Sequence, residues 1–260
     1  MSDQARKALH FRDLHVPGNP LVLFNAWDAG SAKAVDAGGA KAIATSSWSV
    51  ADANGFADGE QLPLPFAIEN LRRIIGVTDL PVTVDLESGY GETAEAVRSS
   101  IALAIDVCAV GCNLEDSVPG DGRLRSRADQ VIRIRSARRA AEVARLPFFI
   151  NARTDVFLRR PAAQHDSTML NEALERAKHY RDAGADGIFA PGLVDIRLIA
   201  QLAAASPLPL NIMLQEETPP MKNLADHGVA RVSHGPGPYL LAMRALEAAA
   251  RTAFHRVASP

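Results

Sequence analysis

The stretch Val84–Glu92, VDLESGYGE, decides the fold. A β-branched apolar run reaches Asp85, a second acid follows at Glu87, and Gly89-Tyr90-Gly91 then frees the backbone to turn. An apolar strand that gains polar groups only at its end has both faces buried, as strands of parallel sheets do. Outward from this stretch the same grammar recurs. Strands are expected near 21–27, 42–46, 81–86, 111–115, 147–153, 187–191, 208–213 and 229–233. Helical patterns lie between them at about 30–38, 66–76, 92–107, 126–145, 168–183, 194–204 and 219–227, with a last one at about 237–257. Eight strands alternating with eight helices predict an α/β protein, a single (β/α)8 TIM barrel over 1–260, with a doubly wound open sheet as the alternative. The segment 48–64, rich in Gly, Asp and Asn, is expected to be a long loop after the second strand.

Composition narrows the class of function. The chain has 260 residues, 47% of them apolar, and a formal net charge of −2. That balance gives no reason to expect a nucleic acid or an anionic membrane as partner. No apolar run approaches the roughly 20 residues that span a bilayer. The first twenty residues carry charges and no apolar signal core. Cys108 and Cys112 make no disulfide framework and are expected in the core. The arginine-rich run 123–139 is expected to be a solvated helix face. These features suit a cytoplasmic protein acting on a small molecule.

In a TIM barrel the chemistry sits at the C-terminal ends of the strands. There this sequence places Asn25 and Trp27, then Ser46, Ser47 and Trp48, then Asp85 and Glu87. Later strands add Glu115, Arg153, Asn211 and His234. Strand alternation puts Asp85 and Glu87 on one face, and Glu115 comes from the next strand. Three acids so close repel one another unless a cation or a proton sits among them. Their oxygens suit Mg²⁺, which takes one or two carboxylates, keeps waters and accepts substrate oxygens. Arg153 is expected to hold a substrate carboxylate with a two-pronged hydrogen bond.

VDLESGYG at 84–91 resembles the Asp-x-Asp-x-Gly-Tyr/Phe-Gly motif of the isocitrate lyase / phosphoenolpyruvate mutase superfamily. NAWDAGSAKAVDAGG (25–39), TSSWS (45–49), NGFADGE (54–60), NLED (113–116) and NARTD (151–155) resemble its other motifs in order and spacing. The resemblance implies a modified TIM barrel that binds Mg²⁺, with Mn²⁺ as a substitute, and works through a pyruvate-type enolate. It implies Asp85 as the direct metal ligand, with Asp58, Glu87 and Glu115 acting mainly through metal-bound water. Ser46, Ser47 and Trp48, with Trp27 and Asn211, would bind the substrate, a small carboxylate; Arg153 would hold its other anionic end. His234 would orient the distal carboxylate or supply a proton. It also implies a homotetramer or homodimer in which the last helix, about 237–257, packs on a neighbouring subunit.

The chain departs from that pattern after the fourth strand. The isocitrate and methylisocitrate lyases carry Lys-x-Cys-Gly-His there, whereas SVPGDGRLRSR follows Asp116 here. The second acid of the metal motif is Glu87 rather than Asp. Decarboxylation asks least of that loop. The expected activity is therefore Mg²⁺-dependent C–C cleavage of a small 2-oxo or 2-hydroxy dicarboxylate, oxaloacetate first. A P–C bond enzyme and a non-catalytic 2-oxo acid binder are the alternatives.

Overall fold

A computed structural model shows the architecture. It describes residues 1–257. Eight parallel strands run β1 (Leu21–Leu23), β2 (Ile43–Ala44), β3 (Val82–Asp85), β4 (Gly111–Glu115), β5 (Phe149–Arg153), β6 (Gly187–Phe189), β7 (Leu210–Met213) and β8 (Arg231–Ser233). Their order is β1-β8-β7-β6-β5-β4-β3-β2. Ala26 and Thr45 bridge the remaining gap, so the sheet closes. This is the (β/α)8 barrel; the open sheet is excluded by that closure.

The helices are α1 (Asp3–Asp13), α2 (Ala29–Ala37), α3 (Ser47–Ala53), α4 (Leu64–Ile75), α5 (Ala94–Asp106), α6 (Arg127–Val143), α7 (Ser167–Ala183), α8 (Ile196–Ala205), α9 (Met221–Asp226) and α10 (Gly237–Val257). Every helix expected from the sequence is present within a few residues. Two were not expected. The first is α1, which Ser2 caps. Its Phe11 and the following His15 pack on Phe149 at the start of β5, so it plugs the N-terminal end of the barrel. The second is α3, which occupies the front of the expected 48–64 loop. The Ser46 hydroxyl caps it, supplying the acceptor that a short helix start needs.

Two further expectations are corrected. Cys112 is buried in β4, but Cys108 is exposed. Cys108 has φ +75° in the turn that ends α5, which carries its side chain outward. The run 123–139 is not simply a solvated face. Buried Arg133 donates to the Ser88 carbonyl, and Arg138 donates to the Gly184 and Phe148 carbonyls. Guanidinium forks satisfy several loop carbonyls at once, which is why α6 uses arginine on its inner side. Among the described residues no helix is long and apolar enough to cross a membrane.

Candidate active site

Polar side chains collect where the strands end. β3 stops at Asp85, as its backbone amide donates to Thr45 Oγ1 at 2.9 Å. Ser47, the first residue of α3, donates to Asp85 Oδ2 through its hydroxyl (2.9 Å) and its amide (3.3 Å). Oδ1 of Asp85 is buried and has no partner among the described residues.

Beyond Asp85 the chain leaves the strand. Glu87 (φ +50°), Gly89 (+106°), Tyr90 (+54°) and Gly91 (+146°) are all left-handed. Glu87 therefore reaches the acid cluster through a turn, not through strand alternation as the sequence suggested. A left-handed residue with a side chain costs about 1–2 kcal/mol, so this turn is held by its neighbours. The holder is Glu60. Its amide donates to Glu87 Oε2 at 2.6 Å, and its own Oε1 accepts from Ser88 Oγ (2.7 Å) and the Tyr90 amide (2.8 Å). Tyr90 Oη donates to Glu87 Oε1 at 3.2 Å. At Gly91 a Cβ would stand 2.5 Å from Ala96 Cβ, so only glycine fits between the turn and α5.

On the other side, Arg153 at the end of β5 forks onto Asp155, with Nε and Nη2 at 2.6 and 3.0 Å from its two oxygens. Its Nη1 lies 2.7 Å from Glu115 Oε2. Burial opposes this charge, but Glu115 and Asp155 outweigh it and hold the guanidinium firmly protonated. Behind it, Asp116 accepts from the Asp155 amide, the Tyr180 hydroxyl (2.7 Å) and Arg176 (3.0 Å), all buried. Arg176 also holds the Arg125 carbonyl. Val118 and Arg123 pair across the loop, which is thereby a tied-down hairpin.

Electrostatics confirm the crowding. Burial and then Asp58 push the Glu87 carboxyl up to about 7. Burial and then Asp85 raise Asp58. Burial raises Glu115 well above the carboxylate range against the pull of Arg153. Four acids thus hold more negative charge than the site tolerates without protons or a cation.

Ser46, Ser47, Trp48, Asp58, Asp85 and Arg153 line one cavity of about 160 Å³, together with Asn25, Asn113 and Ser233. The sequence-chosen residues are therefore largely brought together. Five are not in its wall: Glu87, Glu115, His234, Trp27 and Asn211. Ser233 points inward, so the next residue, His234, points outward: its ring lies against Phe24 and Nδ1 is 3.1 Å from the Leu23 carbonyl. Trp27 packs on Val50 and Leu62 and edge-on to Tyr239. Asn211 is buried in an amide ladder inside the barrel. Ser46 reaches the cavity, but its hydroxyl is engaged as the cap of α3. Arg153 lines the wall with its fork already on Asp155.

The cavity wall is divided. Its acids, Asp58 and Asp85, come from the loop after β2 and the end of β3, whereas Leu158, Phe189, Pro191, Met213 and Pro236 form a mostly apolar half after β5 to β8, with Arg153 beside Phe189. A larger apolar groove of about 540 Å³ lies outside the barrel between β1 and α2, away from this chemistry.

The residues fit a divalent cation. Asp85 Oδ1 is an open, buried carboxylate oxygen, and the raised acids around it need positive charge. Among the described residues no three His, Cys, Asp or Glu side chains enclose an ion by themselves. That suits Mg²⁺, which accepts one or two carboxylates and fills its remaining positions with water and substrate. Of the three expected ligands, Glu87 has a donor on each oxygen and Glu115 an arginine on Oε2, leaving Asp85 as the open one.

Sequence reasoning missed Glu60 and Asn113 as parts of the site; Asp116 and Asp155 are legible at the strand ends, but the sequence assigns them no role. Asn113 was within reach, because alternation along 111–115 puts it on the face of Glu115. Glu60 ends the motif NGFADGE, but nothing local assigns it a role, because its partners are about 28 residues away in another loop.

A family profile described as phosphoenolpyruvate phosphomutase matches residues 11–254. An uncharacterized protein of Mycobacterium tuberculosis is 35% identical over 94% of this chain and 88% of its own length. The 2-methylisocitrate lyase of Escherichia coli is 29% identical over 76% of this chain and 69% of its own. A crystal structure from Burkholderia cenocepacia, provisionally described as a phosphonomutase, is 54% identical with a TM-score of 0.94, covering 96% of this chain and 99% of its own. Oxaloacetate decarboxylases are also among the curated relatives.

Proposed function

This chain belongs to the phosphoenolpyruvate phosphomutase family, and from that premise we propose that it is a Mg²⁺-dependent lyase cleaving a small 2-oxo acid through a pyruvate-type enolate. Decarboxylation of a 2-oxo diacid, with oxaloacetate the smallest that leaves a pyruvate-type enolate, is the reaction its cavity favours. The observation that carries this reading is the divided wall. Decarboxylation moves charge from the distal carboxylate to the enolate oxygen while neutral CO₂ departs. An apolar surface at the distal end and acids ready for a cation at the other match that movement.

A divalent ion held by Asp85 would supply Lewis-acid stabilisation of the growing enolate charge. The chain's own groups do the rest. Ser46, Ser47 and Trp48 shape the wall at the carboxylate end. Leu158, Phe189 and Met213 exclude water from the departing group. The C3–C4 bond pair becomes the C2=C3 bond, and C3 then takes a proton. Asp58 lines the cavity with a raised pKa and is the carboxyl placed to give it. The P–C reading is less favoured, because a phosphonate dianion would meet one lining cation, Arg153, which Asp155 and Glu115 already share.

The test is enzyme-dependent pyruvate release with Mg²⁺ from oxaloacetate, 2-methylisocitrate and phosphonopyruvate, each against the metal-only background. Turnover of oxaloacetate that Asp85→Ala abolishes supports the reading. Turnover of phosphonopyruvate instead moves it to P–C chemistry, and oxalate binding without any turnover moves it to a binder.

The assembly reading also stands as a proposal. Leu241, Leu246 and Phe254 of α10 are exposed, as are Val22 of β1 and Phe24 just after it, beside the outer groove. Exchange of α10 between copies would cover both surfaces and give a homodimer or homotetramer.

A further inference from the structure

Inside the barrel, below the cavity, lies a buried guanidinium with no carboxylate partner. Arg231 of β8 is fully buried, and its Nε and Nη1 have no hydrogen-bond partner among the described residues. Its Nη2 donates to Asn113 Oδ1 at 3.2 Å. The same Oδ1 accepts from Asn151 Nδ2 at 2.9 Å, and Asn151 Nδ2 also reaches Asn211 Oδ1 at 3.0 Å. This ladder has room because residue 187 is glycine; a Cβ there would stand 2.8 Å from Asn151 Oδ1.

The ladder fixes one thing that an asparagine ordinarily leaves open. An amide can flip, exchanging its donor and acceptor ends. Arginine can only donate, so the end of Asn113 that meets Arg231 must be the oxygen. The Asn151 amide reinforces that choice. The side-chain hydrogen bonds of Asn113 to described residues both use its oxygen, so its NH₂ group is free to face the cavity that Asn113 lines. Asn113 is also the register partner of Asp85 on the neighbouring strand. Its NH₂ group therefore faces the cavity that the open Asp85 also lines, where the oxygens of a 2-oxo acid would sit.

We propose that Asn113 is a substrate-binding residue whose NH₂ group donates to an oxygen of the pyruvate-type enolate, and that Arg231 and Asn151 are positioning residues that lock its orientation. This rests on the enolate reading above. A hydrogen bond to an oxygen gaining negative charge strengthens as the bond breaks, so the contact serves the reaction as well as binding.

The test uses oxalate, a stable dianion with the shape of the enolate, titrated calorimetrically into the Mg²⁺-loaded protein. Asn113→Leu keeps the side-chain size and removes the donors. It is expected to weaken oxalate on the order of tenfold to a hundredfold, as loss of a charge-assisted hydrogen bond does. Its affinity for Mg²⁺ alone should stay within about twofold, since the ligand Asp85 is intact. Arg231→Met removes the donor-only partner and leaves the Asn113 orientation to Asn151 alone, whose own amide can flip with it, and should weaken oxalate severalfold; Arg231→Lys, again a pure donor, should restore it. That rescue is what a merely structural arginine would not show. Wild-type oxalate affinity in folded Asn113→Leu overturns the assignment; if that variant does not fold, equal oxalate affinity of Arg231→Met and wild type overturns it. Failure of the wild-type protein to bind oxalate with Mg²⁺ overturns the enolate reading itself, and the assignment with it.

Discussion

Glu87 allows a prediction that can be worked through from the site. Its carboxyl is buried beside Asp58 and Asp85, and its pKa rises from an ordinary 4.5 to about 7. A carboxyl with a raised pKa in the folded state stabilises the fold fully below its unfolded pKa. That contribution is lost as the pH climbs through the folded pKa. The metal-free protein should therefore lose stability between pH 5 and pH 8, and the Glu87 share integrates to between about 2 and 3 kcal/mol. For a chain of this length that is roughly 5–10 °C in Tm. Glu87→Gln removes the titration. Its amide also mismatches one of the two donors, from Glu60 and Tyr90, which costs a constant amount at every pH. Asp58 and Glu115 titrate in both proteins, so the quantity to read is the difference between the two melting curves across pH, in EDTA. It should shift in favour of Glu87→Gln by the stated amount from pH 5 to pH 8. A difference that stays flat, or moves the other way, would refute the reasoning that burial and crowding hold a proton at Glu87.

Mg²⁺ should flatten the wild-type pH slope, because a cation stabilises the ionised acids; melting with and without Mg²⁺ at pH 8 checks this, and no metal-induced rise in Tm would count against the site. Asp116→Ala leaves Arg176 only Glu172 as a carboxylate partner and strips the Tyr180 hydroxyl and Asp155 amide of their acceptor, so it should cost more than about 2 kcal/mol in chemical denaturation, while Tyr180→Phe, which removes one neutral donor, should cost about 1 kcal/mol. Gly91→Ala forces its new methyl against Ala96 at a left-handed position and should lower stability by more than about 1 kcal/mol, with loss of turnover through displacement of Glu87. Deletion of 240–257 should convert the assembly to monomers in light scattering; an unchanged molar mass per particle would dismiss exchange of α10.

The sequence by itself determined the barrel and the strand ends. Apolar strands of five to seven residues, each followed by a helical period, admit little besides a closed parallel sheet, and the ends of those strands supplied Asp85, Glu115 and Arg153 at matching depth. Asp85 and Ser47 were legible for the same reason: each sits within a residue of a strand end, where position in sequence fixes position in space. Tertiary structure decided what depends on contacts between loops and on side-chain direction. The Glu60 lock on Glu87 joins loops 27 residues apart, and with Tyr90 and Arg133 it holds Glu87 in a left-handed turn that no propensity favours. The outward turn of His234 follows from Ser233 facing in, a register visible once β8 is paired with β1 and β7. The orientation of the Asn113 amide required a third strand, because only the donor-only head of Arg231, 118 residues away in sequence, tells the oxygen from the nitrogen.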